Sequence, residues 1–418
     1  MQTCIVGNKS VNLNQNSVYR PLAADSYSFV MCNRLDFSDI APFDDKDFSE
    51  KMACLVKEAG FEHAVKYVMP DLNYKEFVEK LLQIPNKEAF QKQVMYQFLL
   101  MLKDKTTSGI SSRGTENIKQ GMSYTIMSNH RDIVLDASFL NLCLIENHIP
   151  TSEVAIGSNL LIFDWITDLV KLNKSFIVKR NIERKKALDA ARQLSAYIHY
   201  AINEKHENVW IAQREGRAKD SNDITQESLI KMLALEGGGS LLDNVKALNI
   251  MPLSISYEYD PNDYLKAKEF LLKKLDPNFK KSEHDDLLSM ETGLLGRKGH
   301  VHFDLCQCIN EDLDKLPVDM AKGDMLKEIC RIIDCSIHAG YKIYPINYIA
   351  FDRLHKKAHY ASHYSEAEAE SVDKYIESQL DKVDLPDVSE LDRHFMREMM
   401  YVMYANPLRN KLAADSKC

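Results

Sequence analysis

A histidine follows a short apolar run and is itself followed by two acids. Residues 124–140 read YTIMSNHRDIVLDASFL, which places Asp132 and Asp136 after His130. Imidazole titrates near neutral pH, so His130 could take a proton from a hydroxyl group. A carboxylate on its other ring nitrogen would fix the tautomer and stabilise the charged ring. The pattern predicts general-base catalysis with Asp132 or Asp136 as the orienting acid; the alternative is a histidine that only caps the next helix.

Cations follow two other short apolar runs. The run at 175–178 ends in Lys179 and Arg180, and the run at 209–212 leads into a turn around Gly216. Glycine lets the backbone turn sharply or approach a ligand closely, and an arginine can hold a phosphate through paired hydrogen bonds. The second turn carries Glu215, Gly216, Arg217 and Lys219. Ligands of open α/β sheets bind at the carboxyl ends of strands, so the two segments predict an anion site.

Short strand-like runs alternate with longer helical patterns between about residues 120 and 310. Alternation of this kind indicates an α/β layer with a mostly parallel sheet. The predicted strands are 124–127, 154–156, 176–178, 209–212, 250–256 and 300–305. The predicted helices between them are 134–146, 160–172, 183–203, 225–235 and 263–275.

Both ends of the chain have helical periodicity. Apolar residues recur at three- and four-residue intervals in 49–103, whereas 106–121, rich in Ser, Thr and Gly, is predicted to be a connection. Further helices are predicted near 320–339, 364–381 and 388–405. The sequence thus predicts an α/β fold: a mixed, mostly parallel sheet flanked by helices, with a helical N-terminal layer and a helical C-terminal extension. The predicted regions are 1–110, 111–318 and 319–418.

The charge of the chain is uneven. The 418 residues carry 53 Lys and Arg against 61 Asp and Glu, a net charge of -8. Residues 171–219 nevertheless have twelve cations and five acids, a net +7 that leaves -15 for the rest. One interpretation is that these cations form a solvated face of a helix. An acidic chain with one basic segment favours a small anionic ligand, and no nucleic-acid partner is expected.

The nine cysteines are scattered, and no pair has CxxC spacing. A disulfide framework and a structural metal site are therefore not expected, which is typical of a protein of the reducing cytosol. The first twenty residues lack the basic start and apolar core of a secretory signal. Apolar runs such as 96–102 are far shorter than the roughly 18 residues that span a bilayer.

Taken in order, four segments resemble the four conserved blocks of the glycerolipid acyltransferases. The first block of that family is a histidine with an acid shortly after it, the second Phe-Ile-x-Arg, the third Glu-Gly-x-Arg, and the fourth a strand with Val/Ile-Pro. The corresponding residues here are Asn129-His130-Arg131 with Asp136, then 176–180, Glu215-Gly216-Arg217 and 251–255. The resemblance spans about residues 120–310 and is nearest to the glycerol-3-phosphate and 1-acylglycerol-3-phosphate acyltransferases.

The resemblance implies an O-acyltransferase of phospholipid biosynthesis. His130, oriented by Asp136, would deprotonate an acceptor hydroxyl that then attacks an acyl thioester. The donor would be acyl-CoA or acyl carrier protein, the acceptor glycerol 3-phosphate or a lysophospholipid, and no cofactor or metal is implied. The residues implied to bind substrate are Arg131, Arg180, Glu215, Gly216, Arg217 and Lys219.

Two departures from the family pattern leave alternatives open. Five residues instead of four separate His130 from Asp136, and one extra helical residue would rotate the acid by about 100°. Arg217 follows Gly216 directly, so Arg214, Arg217 or Lys219 could be the phosphate ligand. One alternative function is acyl transfer to a lysolipid without phosphate, such as an amino-acid lipid. The other is a catalytically inactive, lipid-binding relative.

The lipid substrates imply a cytoplasmic protein that associates peripherally with the inner face of the membrane. Segment 266–281 has six lysines and two acids around apolar residues, a composition typical of a helix lying on anionic lipid. An ordinary surface helix would have the same composition. The apolar run at 98–102 is the rival docking segment.

Overall fold

Within residues 36–417, which the computed structural model describes, the strands form one seven-stranded sheet. The strands are β1 (Thr107–Arg113), β2 (Thr125–Ser128), β3 (Ser152–Gly157), β4 (Ser175–Val178), β5 (Asn208–Ala212), β6 (Ile250–Tyr257) and β7 (Gly299–Leu305). Their order across the sheet is β1-β7-β6-β2-β5-β3-β4. All neighbours are parallel except β6 and β7. The carboxyl ends of β2, β3, β4 and β5 therefore lie along one edge.

Helices precede, flank and follow the sheet. Those before β2 are α1 (Asp45–Leu55), α2 (Ala59–Val68), α3 (Tyr74–Leu81), α4 (Lys87–Phe90) and α5 (Tyr96–Thr106). Those between β2 and β7 are α6 (Leu135–Glu146), α7 (Asp164–Leu172), α8 (Ala187–Asn203), α9 (Glu227–Leu233), α10 (Leu241–Lys246), α11 (Asp263–Leu275) and α12 (Glu283–Leu295). Those after β7 are α13 (Asn310–Leu313), α14 (Lys322–Ala339), α15 (Pro345–His355), α16 (Glu366–Leu380) and α17 (Glu390–Lys417).

Both faces of the sheet are buried, as expected for strands joined by helical crossovers. In β5, Val209 and Ile211 pack with α8, α9 and α14 on one face, whereas Trp210 packs with α5 and α6 on the other. Successive side chains of a strand point to opposite faces, so the residues of an uninterrupted apolar run pack alternately into the core on each face of the sheet. Packing on both faces holds the strands, and therefore the loops that follow their carboxyl ends, in place.

The predicted fold class is confirmed, because the sheet is mixed but mostly parallel and has helical layers before and after it. The predicted connection at 106–121 is wrong in its first half, which forms β1. Among the described strands, β1 lies at the edge of the sheet and pairs only with β7, so its other side tolerates Ser, Thr and Gly. Ile110 alone packs into the core, which explains why the stretch lacks the apolar alternation of a strand.

The helix predictions differ mainly at the helix ends. Helix α7 begins at Asp164 instead of 160, because Phe163 before it is extended. Helix α17 continues through Pro407 to Lys417, and Leu408 beyond the proline is buried. Helices α10, α12, α13 and α15 were not predicted from the sequence.

The terminal helices form their own apolar clusters. Helices α1 to α4 pack together and against α7, and α15, α16 and α17 pack against α11. The boundaries of the three predicted regions stay a prediction, and the part of the first region before residue 36 lies outside the described residues.

Candidate active site

His130 and Asp136 are in direct contact just after β2. The Asp136 Oδ2 atom lies 2.8 Å from Nδ1 of His130 and accepts hydrogen bonds from the amides of Arg131 (2.6 Å) and Asp132 (3.1 Å). A carboxylate can only accept, so Nδ1 carries the proton and Nε2 is left as a base. The His130 side chain is 14% exposed, whereas Asp136 is fully buried. The pair has the geometry of a general base and its orienting acid.

Asp132 forms hydrogen bonds at the start of helix α6. Its Oδ1 atom accepts hydrogen bonds from the amides of Val134 (2.9 Å) and Leu135 (2.8 Å), where helix α6 begins. Burial and the nearby Asp136 carboxylate raise the pKa of Asp132. The side chain thus caps α6 and leaves Asp136 in the first turn of the helix. The extra residue of the five-residue spacing is absorbed in this capped turn.

Buried contacts hold the loop that carries His130. The side-chain amide of Asn129 donates to the Ile255 carbonyl (2.9 Å) and accepts from the Ile255 amide (2.8 Å), which ties the end of β2 to β6. Trp210 donates from Nε1 to the Ser128 hydroxyl at 3.0 Å. The same tryptophan meets the His130 ring edge-on, with centroids 5.6 Å apart. The imidazole is therefore held by Trp210 against its ring and by Asp136 at its Nδ1 atom.

Arg131 is not brought together with the other predicted substrate ligands. Its guanidinium is buried and pairs with Asp223 at 2.7 Å, and Tyr341 donates to the same carboxylate at 2.6 Å. Burial opposes the positive charge, but Asp223 and other anions outweigh it and raise the pKa of Arg131. Arg131 is also absent from the described lining of the cavity next to His130. Its position indicates that it anchors the loop.

His130 opens into a cavity of about 2110 Å³. Small-molecule sites usually have about 300–1,000 Å³, so this cavity has room for a far larger ligand. Apolar side chains from the N-terminal helices, α6, α7 and α12 line much of it, among them Phe61, Val65, Phe98, Ile133, Ile166 and Leu294. Cations from the loops after β4 and β5 line it too: Lys179, Arg180, Arg214, Arg217 and Lys219. The cavity suits a molecule with a long apolar part and an anionic part.

The predicted cations lie in two groups. Arg180 forms an ion pair with Glu215 at 3.0 Å, and both side chains are accessible from solvent. Between Glu215 and Arg217, Gly216 has a φ of +67°, a conformation that favours glycine. This turn separates Glu215, which faces Arg180, from Arg217, which is buried.

The second group surrounds Glu269, a buried acid on α11. Its carboxylate lies 3.0 Å from Lys219 and 3.6 Å from Lys281. Burial and the charge of Arg217 lower the pKa of Lys219 to about 7, although Glu269 opposes this. Arg217 is 8% exposed, and its buried Nη1 atom has no hydrogen-bond partner among the described residues. A buried guanidinium with an unsatisfied nitrogen in a cavity wall has the chemistry to bind an anion.

The segment predicted to lie on lipid is buried or half-buried over 266–272 and exposed over 273–278. Lys266 of α11 is buried and pairs with Asp260, and Leu271 is in the core, whereas Leu275 is 63% exposed. In the rival run at 98–102, Leu99 and Leu102 are buried. Neither segment presents a whole apolar face to solvent.

Sequence reasoning missed several residues that build the site. Trp210 came from a strand with no motif of its own. Asn129 was part of the first block and Lys281 of segment 266–281, but the clamp on β6 and the place of Lys281 near Glu269 were not predicted. Their signal in the sequence was only position, since Asn129 and Trp210 lie at or near strand ends beside predicted site residues. Lys281 precedes α12, a helix that was not predicted.

Residues 36–417 contain neither a metal-binding cluster nor a membrane-spanning helix. No group of three or more His, Cys, Asp and Glu side chains is placed to hold a metal ion. None of the helices in this part of the chain has the length and apolar character that a membrane span requires.

The fold and the site together define a class: an α/β protein with a histidine base at the strand ends, beside an apolar cavity with cations. Residues 109–242 match the family model described as Acyltransferase. The match agrees with the resemblance to acyltransferases over this part of the chain and supports acyltransferase activity. It covers β1 to α10, hence both His130 and the cation turns.

Comparison with whole proteins adds little detail. The crystal structure of the 1-acyl-sn-glycerophosphate (LPA) acyltransferase PlsC from Thermotoga maritima is similar, with 10% sequence identity and a TM-score of 0.35. The alignment covers 70% of this chain and 97% of that one. No curated protein matches the chain.

Proposed function

We propose that the protein transfers a fatty acyl group from a thioester donor to the hydroxyl of glycerol 3-phosphate or a lysophospholipid, in phospholipid biosynthesis. The single observation that carries the proposal is the His130–Asp136 pair opening into a large cavity that is lined by both apolar side chains and cations. A lipid-binding protein without chemistry would need neither a buried carboxylate on His130 nor a free Nε2. The donor is acyl-CoA or acyl carrier protein, and the proposed reaction uses no cofactor.

The proposed reaction runs through His130. Its Nε2 atom takes the proton of the acceptor hydroxyl, and Asp136 stabilises the resulting imidazolium. The acceptor oxygen attacks the thioester carbonyl, the C–S bond of the tetrahedral intermediate breaks, and the thiolate leaves with the proton returned by His130. The products are an ester and a free thiol. Holding both substrates in one cavity makes the attack effectively unimolecular.

In the proposal the acceptor phosphate binds at Arg217 and Lys219 of the second cation group, whereas Arg180 belongs to the first group, beside Glu215. Support comes from the unpartnered Nη1 of Arg217 and from its burial, since a desolvated guanidinium binds an anion strongly. The apolar wall of the cavity would take the acyl chain. Arg131 is left out of the proposed substrate ligands because it pairs with Asp223 and is absent from the described lining of the cavity.

An acyl-transfer assay with a panel of acceptors tests the proposal. Glycerol 3-phosphate, lysophosphatidate and a lysolipid with an amino-acid head group are each supplied with acyl-CoA and with acyl carrier protein. We expect transfer to at least one phosphorylated acceptor and little to the phosphate-free lysolipid. Equal use of the phosphate-free lysolipid would show that the phosphate site is wrong, and no transfer to any acceptor would favour the inactive relative.

Replacement of Arg217 by alanine should raise the KM for the phosphorylated acceptor about 10–150-fold, the loss expected for one charge-assisted contact of about 1.5–3 kcal/mol. The KM for the acyl donor should change little. Arg217→Lys should recover only part of the loss, because an ammonium cannot form the bidentate contact. The control is Arg113→Ala, which removes an arginine paired with Asp304 on the edge strand, outside the cavity. A lower melting temperature with an unchanged acceptor KM would show that Arg217 is purely structural.

The acceptor KM should also depend on pH through Lys219. With a pKa of about 7, its ammonium is charged below that pH and neutral above it, so phosphate binding weakens as pH rises. We expect the KM to increase about tenfold from about pH 6 to 8 in excess of the titration of the phosphate itself. Lys219→Ala should have a higher KM without this extra rise. The KM is recorded separately from kcat, and an identical pH profile of the KM in the two proteins would contradict the prediction.

A further inference from the structure

We infer that the loops after β3 and β4 dock the protein on an anionic lipid bilayer and bring the mouth of the cavity onto the lipid. This inference rests on the proposed function and names the surface through which its lipid substrates would enter. The surface, called here the mouth surface, consists of Phe163, Ile182, Arg184, Lys186 and Leu188.

The two loops lie side by side. Strands β3 and β4 are parallel neighbours, with Gly157 opposite Val178, so the residues after them leave the same edge of the sheet. The amide of Arg180 donates to the Ser158 hydroxyl at 2.9 Å, which joins the loops directly. Both loops line the cavity that His130 opens into. Their outer side chains therefore surround its entrance.

The apolar side chains of the mouth surface are unusually exposed to solvent. Phe163 is 53% and Ile182 36% exposed, although both line the cavity, and Leu188 nearby is 54% exposed. Scattered apolar side chains on a surface need no explanation, but a group continuous with an apolar cavity indicates an interaction site. A lipid chain could pass from the bilayer into the cavity without crossing water.

The charges of the mouth surface complement an anionic head-group layer. Arg184 and Lys186 are exposed and form no ion pair with any described residue, whereas Lys185 between them pairs with Glu183 at 3.1 Å. Asp189 lies in the same stretch. Cations around exposed apolar side chains are the composition of an interfacial segment. An acidic carrier protein would also meet these cations, but it has no need of a phenylalanine and two aliphatic side chains open to solvent.

The test compares two matched triple variants for vesicle binding. The mouth variant is Arg184→Gln, Lys186→Gln and Leu188→Ser, and none of these residues lines the cavity. The control variant, Lys274→Gln, Lys280→Gln and Leu275→Ser, removes two exposed lysines and the 63% exposed leucine of segment 266–281. Dissociation constants are measured with vesicles of equal parts phosphatidylcholine and phosphatidylglycerol, and with phosphatidylcholine alone, after thermal unfolding has shown that both variants are folded.

We expect the mouth variant to bind the anionic vesicles at least about thirtyfold more weakly than the parent. Each lost cation should weaken binding about fivefold, and the loss of Leu188 should weaken it further. The control variant should stay within about twofold, because its charges lie away from the docked face. Parent-like binding by the mouth variant, or an equal loss in the control variant, would overturn the inference. So would a mouth variant that keeps vesicle binding but loses affinity for acyl carrier protein, since the surface would then dock the donor.

A vesicle-free assay separates this inference from the proposed function. Glycerol 3-phosphate and a short-chain, water-soluble acyl-CoA are the substrates, and the mouth variant should have the activity of the parent. A parent that transfers no acyl group, here and in the acceptor panel, would refute the proposed function whatever the vesicles show. A parent that is active, with a mouth variant that binds vesicles normally, would refute the docking surface alone.

Discussion

Replacing His130 with alanine is expected to lower acyl transfer by about 10²–10⁴-fold, the usual contribution of a general base. The Asp136 carboxylate holds Nδ1 of the ring at 2.8 Å, so Nε2 is the atom that takes the proton of the acceptor hydroxyl. Alanine offers no replacement. Turnover is measured at saturating donor and acceptor, so that the effect is on the chemical step and not on binding.

The fold should survive this substitution, because the imidazole lies at the wall of a cavity and not in the sheet core. The matched control is His302→Ala, which removes a buried histidine of β7 that lies 2.8 Å from the Ser111 hydroxyl. His302 is absent from the described cavity lining, so its loss should lower the melting temperature and leave turnover nearly unchanged. A folded His130→Ala protein with half the parent activity would remove His130 from the mechanism.

Six of the seven strands could be predicted because each contains apolar residues that pack into the cores of the sheet. In β6 all eight residues are buried, so the sequence is apolar almost throughout, and the helices between strands have clear periodicity. The edge strand β1 has no such signal. It gains its backbone hydrogen bonds from β7, almost two hundred residues later in the chain, and a partner so distant leaves no local pattern.

The site was predictable where chemistry fixes the residue type and not where packing does. His130 and the turn at Gly216 stand out because a base and a positive φ each require a particular residue. Trp210 does not stand out, since an aromatic residue in a strand is ordinarily core. The same limit explains Arg131, whose place in the motif implied a substrate ligand but whose guanidinium is held by Asp223. Only the fold brings residues 131 and 223 together.

The five-residue spacing shows how far local reasoning could go. A rigid helix would have rotated Asp136 away from His130 by about 100°. The turn before α6 prevents this, because Asp132 caps the helix with two hydrogen bonds to backbone amides. A cap of this kind is common at helix starts, but which of the two acids would cap and which would meet His130 depends on the turn.

Asp136→Asn is therefore expected to reduce turnover by on the order of 10⁴-fold, as an amide does in place of the orienting acid of a catalytic triad. The amide cannot stabilise the imidazolium, and it can turn its NH₂ group toward Nδ1 and so favour the wrong tautomer. Asp132→Asn should lower turnover less than about tenfold, because the remaining carbonyl oxygen can still cap α6. Burial opposes the charge of Asp132 and raises its pKa, so the uncharged amide avoids this burial cost.

The two effects differ enough for one experiment to separate them. Both variants are assayed with the acceptor that the panel identifies, and turnover is divided by the folded fraction from thermal unfolding. Asp132→Ala serves as the control for the cap: it should lower the free energy of unfolding by about 0.5–2 kcal/mol. Turnover that falls further in Asp132→Asn than in Asp136→Asn would make Asp132 the orienting acid. The contact between Asp136 and His130 would then be structural, and the alignment with the family pattern across the extra residue would be wrong.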